Sequence, residues 1–127
     1  MQNLLKMMGR VMAVASLGVV ATTVEAHTTL ITATSQHSRA LRLLVEADAV
    51  TTATSTATLC SAPSGVVQEA KLWMPGMGHG SAPTQLESLD ADCMRIGHIN
   101  FFMAGAWEIQ VRYADGDSAV IEVVVQD

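Results

Sequence analysis

The chain has 127 residues, seven basic and twelve acidic, half of them apolar but only 4% aromatic, and a net charge of −5. That length holds one small domain with a thin aliphatic core. The charge excludes a nucleic-acid surface, because the five bases after residue 26 are scattered among eleven acids instead of clustering.

The elements follow in chain order. Residues 1–26 read as a signal peptide: Lys6 and Arg10 form a positive start, Val11 to Ala21 a short apolar run, and Val24-Glu25-Ala26 a small-residue cleavage site. Export to the periplasm or the exterior is therefore expected, with the domain proper at 27–127. Only an uncleaved segment would tie the chain to a membrane, and the uncharged run from Val11 to Val24 has 14 residues where a span needs about 20. Cleavage after Ala26 would leave His27 first, its α-amino group and imidazole placed to chelate Cu(II) with a second histidine, His37, His79 or His98.

Leu41, Leu43, Val45 and Ala47 alternate with Arg42 and Glu46, the pattern of a half-buried strand. From Asp48 to Ala62 the chain is nearly all Thr, Ala and Ser, and a strand is expected near Thr54 to Cys60. Pro63-Ser64-Gly65 makes a turn, after which Ala70, Leu72 and Met74 alternate with Lys71 and Trp73. Glu87, Asp90 and Asp92 lack the spacing and glycine of a calcium loop and read as a solvated turn. Cys60 and Cys93 are the two cysteines. An exported pair of this spacing is expected to form a disulfide worth about 3.5–4 kcal/mol, the alternative being two buried free thiols.

Ile99, Phe101, Met103, Gly105 and Trp107 share one parity, so a strand here would set them on one face, with a bend at Gly105. Core packing is the ordinary role for a residue such as Met103. His98 has the opposite parity and is expected at the surface. Trp107, Ile109, Val111 and Tyr113, the turn Ala114-Asp115-Gly116-Asp117, and the β-branched run from Ala119 to Val125 predict a C-terminal hairpin. Six or seven short strands without crossover helices predict an all-β, immunoglobulin-like antiparallel sandwich.

The stretch that does not fit a plain sandwich is Trp73-Met74-Pro75-Gly76-Met77-Gly78-His79-Gly80. Proline and alternating glycines predict a loop that presents its side chains, and two thioethers with one imidazole in six residues read as a ligand set. Thioether sulfur is soft and neutral, and imidazole accepts both copper oxidation states, so Met74, Met77 and His79 select copper, Cu(I) above all. Met103 is the candidate further ligand. Neutral donors exchange readily, which suits a carrier or buffer. No Gly-x-Ser-x-Gly elbow, His-Glu-x-x-His, P-loop or dinucleotide fingerprint occurs, so an enzyme is not expected.

Met74-Pro75-Gly76-Met77-Gly78-His79-Gly80, followed by Phe101-x-Met103-x-Gly105-x-Trp107 and a terminal hairpin, resembles the YtkA-like domain, related to FixH-type proteins, over about residues 38–127. The resemblance implies a small exported or membrane-tethered immunoglobulin-like sandwich and a copper-binding accessory role. The partners expected are copper itself and an envelope or membrane protein that receives it. The Thr/Ala-rich segment and the cysteine pair depart from the family pattern. From another class, a metal-free immunoglobulin-like envelope module would use the Met-rich loop as an adaptable apolar protein contact.

Overall fold

The structure, a computed structural model, describes residues 27–127; the expected signal peptide lies outside the described residues. Nine strands run through them: β1 Thr29–Thr34, β2 Ala40–Val45, β3 Ala57–Ala62, β4 Val67–Met74, β5 His79–Gly80, β6 Gln85–Ser88, β7 Cys93–Gly97, β8 Gly105–Tyr113 and β9 Ser118–Val125. They form two antiparallel sheets, ordered β1-β2-β3-β7-β6 and β5-β4-β8-β9, that enclose one core. The fold is a small β-sandwich.

Period-two alternation accounts for the central strands. On β8 it buries Trp107, Ile109, Val111 and Tyr113, and on β9 Ala119, Ile121, Val123 and Val125, while Leu41, Leu43 and Val45 of β2 meet them from the other sheet. Removing each large apolar side chain from water contributes about 1.5–3 kcal/mol, so these three strands carry much of the fold. Strand β4 breaks strict alternation, since Val67 and Ala70 both face inward. A register shift between Val67 and Glu69 against β8 supplies the extra residue that permits it.

Cys60 and Cys93 stand directly opposite each other on β3 and β7, with Cα atoms 4.0 Å apart, and form a disulfide. The bridge joins neighbours within one sheet, so it does not itself tie the two sheets to each other. Along one side, β1 lies beside β9, with the Gln36 N–H just past β1 donating to the Ser118 carbonyl, and the turn after β2 is tied to the end of β9 by the Thr52 N–H donating to the Gln126 carbonyl.

Three expectations shift. The strand in the Thr/Ala segment runs from Ala57 to Ala62, because Thr51 to Thr54 close a turn: the Thr51 N–H donates to the Thr54 hydroxyl and the Thr54 N–H to the Thr51 carbonyl. The short strands β1, β5, β6 and β7 raise the strand number above the expected six or seven. The run from Ile99 to Ala104 is not a strand; β8 begins at Gly105, whose φ of 137° lies where only glycine is unstrained.

Candidate metal centre

The Met/His loop is the tip of a hairpin. Strand β4 ends at Met74, β5 begins at His79, and the four residues between turn on Pro75, whose fixed φ suits the start of a turn, and Gly78, whose φ is 68°. The Met74 carbonyl accepts from both Met77 N–H at 3.1 Å and Gly78 N–H at 2.9 Å, which closes the turn. Met74 and His79 are then cross-strand partners. Directly opposed residues project to the same face with Cβ atoms about 4.5–5.5 Å apart, so a thioether and an imidazole are neighbours by register alone.

The four candidate ligands are not equivalent. Met74 is 6% exposed, contrary to the expectation that the loop presents all its side chains, because it still belongs to β4 and its parity points into the core. Its methyl group lies where a Cβ on Gly105 would sit, at 2.8 Å, so Gly105 is the gap that admits the Met74 side chain. His79 is exposed at the rim. Met77, 54% exposed, stands at the turn tip. Met103 is 39% exposed rather than in line with buried Phe101, since the segment is irregular and parity does not carry through it.

That irregular segment is fixed beside the hairpin. The Ser81 hydroxyl, just past β5, donates to the Asn100 carbonyl at 2.7 Å, and the Trp107 indole N–H donates to the Met103 carbonyl at 2.9 Å. Between these ties, Phe102 stacks on His79 with centroids 5.5 Å apart and planes 18° from parallel. The edge-to-face contact of Phe102 with Trp107 has centroids at 5.1 Å. The fold thus joins Met74 to His79 by register and His79 to the Met103 segment through Phe102, while Met77 remains at the tip. Phe102 was not singled out by sequence; the signal available was that three of the chain's five aromatics fall between Phe101 and Trp107.

The donor chemistry fits a soft monovalent cation. Among the described residues no group of three or more His, Cys, Asp or Glu side chains converges, so a hard-cation or zinc-type cage is not formed from those side chains. The other histidines lie elsewhere. His27 lies against the Asp48 carboxylate, His37 sits 3.8 Å from Asp117, and His98 is exposed as expected. Compared with family models, curated proteins and solved structures, the chain matches none of them.

A second polar cluster occupies the far end of β8. Arg39 donates to Asp117 at 2.8 Å, to Asp115 at 3.0 Å and to the Pro63 carbonyl at 2.8 Å, and lies 4.2 Å above the Tyr113 ring. Asp117, fully buried, also accepts from the Ser35 hydroxyl and from the backbone N–H groups of His37 and Ser118. Burial pushes the Asp117 carboxyl up, but these donors outweigh it and hold it below the usual carboxylate range. Asp115 is likewise held low, chiefly by the Arg39 hydrogen bond, and burial pushes the Tyr113 phenol up. With its donors and acceptors paired internally, this cluster is a structural tie.

Proposed function

We propose that the chain is an exported copper-binding accessory protein of the YtkA-like kind, which carries or buffers Cu(I) through Met74, Met77, His79 and Met103. The observation that supports the reading is the cross-strand register of Met74 with His79, which makes a buried thioether residue the strand neighbour of an exposed imidazole. Neutral donors of this type hold Cu(I) without thiolates, and both cysteines are committed to the disulfide. Met77 and Met103, both exposed, are the donors a receiving envelope protein would meet first.

The test is an anaerobic Cu(I) titration of the purified protein against a chromophoric competitor. One equivalent retained by the wild type, and lost in His79→Ala with the thermal melt of the apo protein unchanged, is the expected result. Failure of the wild type to retain Cu(I) overturns the reading. It would leave the metal-free protein-contact module, which the joint exposure of Met77, Phe102 and Met103 favours as the second reading.

A further inference from the structure

Strand β5 has two residues, so the His79 side chain projects from a short edge element at an exposed position. An imidazole so placed would ordinarily sample several rotamers, and a metal would have to immobilise it on binding. Here the ring is already held by Phe102, stacked nearly parallel to it at 5.5 Å. Phe102 is 45% exposed, an unusual place for one of only two phenylalanines in the chain, and core burial is not its explanation. It is itself fixed from behind by the fully buried Trp107, and the same indole N–H holds the Met103 carbonyl.

We propose that Phe102 is the positioning residue of the copper site, an inference that rests on the reading above. The coordinating lone pair of a neutral imidazole lies in the ring plane, on the nitrogen that carries no hydrogen, so a partner stacked on the ring face constrains the ring while leaving the coordinating edge free. Through Trp107 the same aromatic pair ties the His79 ring to the Met103 backbone, so that the imidazole and the Met103 main chain are held in one arrangement before the metal arrives. Leucine at position 102 would cover the same apolar surface, but it could not reproduce the parallel stack.

Phe102→Leu and Phe102→Tyr test this against the wild type by two measurements. In the apo protein, the His79 ring protons are expected upfield by the Phe102 ring current in proton NMR, to move to free-histidine positions in Phe102→Leu, and to stay upfield in Phe102→Tyr. In Cu(I) competition, Phe102→Leu is expected to bind one equivalent about three- to tenfold more weakly, the cost of immobilising one more side chain, with Phe102→Tyr restored. Unshifted His79 protons in the wild type, or equal Cu(I) affinity in Phe102→Leu, overturns the positioning role while copper binding stands. A wild type that retains no Cu(I) overturns the functional reading and this inference together.

Discussion

The two ends of β8 are built from opposite kinds of chemistry. At the Tyr113 end, Arg39, Asp115, Asp117 and Ser35 satisfy one another, and the Tyr113 hydroxyl is paired with Ser61 at 2.6 Å. At the Gly105 end, about 26 Å away by strand rise, His79 pairs with Met74 in register and stacks on Phe102, while the Met103 carbonyl is held by the Trp107 indole. A saturated network fixes the fold and offers nothing to a ligand. A set of unspent soft donors costs little when empty and has free valence to give. On the proposed reading, soft donors around the hairpin tip, and not buried charge, would mark the site in this sandwich.

The largest effect should come from breaking the saturated end. Asp117→Ala removes the acceptor of Arg39, Ser35 and two backbone N–H groups and leaves a cation without its buried partner. Among single substitutions it should give the greatest fall in melting temperature, while Cu(I) affinity measured well below the melt stays at the wild-type value. A fall in affinity as large as that in stability would show that the two ends are coupled.

Next in size is the disulfide, which belongs to neither end. Replacing Cys60 and Cys93 together by serine should cost about 3.5–4 kcal/mol in urea unfolding and leave copper stoichiometry intact. Changed stoichiometry would mean the pair takes part in metal binding.

Acid sharpens the comparison. The Asp115 and Asp117 carboxyls lie below their ordinary range in the folded state, so their stabilisation is present above the unfolded value of about 3.9 and is lost as pH falls through the folded values. Stability should therefore decline from about pH 5 downwards in the wild type, and the Asp117→Ala variant should show a shallower decline. Parallel acid profiles for the two proteins would remove Asp117 from the account.

The smallest stability effects, and the largest on copper, belong to the other end. Leucine has nearly the volume of methionine without its sulfur, so Met74→Leu and Met103→Leu should each cost less than about 1.5 kcal/mol, Met74→Leu the more because it is buried against Gly105. Both should weaken Cu(I) binding in the competition assay. Unchanged affinity in Met103→Leu would return that side chain to a packing role.

What was legible in the sequence, and what was not, follows the reach of the forces involved. The hairpin β8–β9, strands β2 and β4 and the disulfide pair could be read from the chain, because alternation and turn chemistry act between near neighbours and because two cysteines in a chain expected to be exported have few alternatives. The Thr/Ala stretch misplaced β3 by about a turn's length, since Thr and Ala differ too little in burial preference to fix where a strand begins. Parity failed from Ile99 to Ala104 for a related reason: it assumes extended backbone, and only the ties from Ser81 and Trp107 decide how that segment runs.

By itself, then, the sequence determined the all-β class, the loop at Met74 to His79 and the soft character of its donors, all properties carried by residue type and local spacing. Tertiary structure alone decided that Met74 is buried while Met77 and Met103 are exposed, that Phe102 stacks on His79, and that Arg39 closes on Asp117 across the sheets. These depend on which distant strands become neighbours. That choice is made by burying a whole core at once, and no short window of residues contains it.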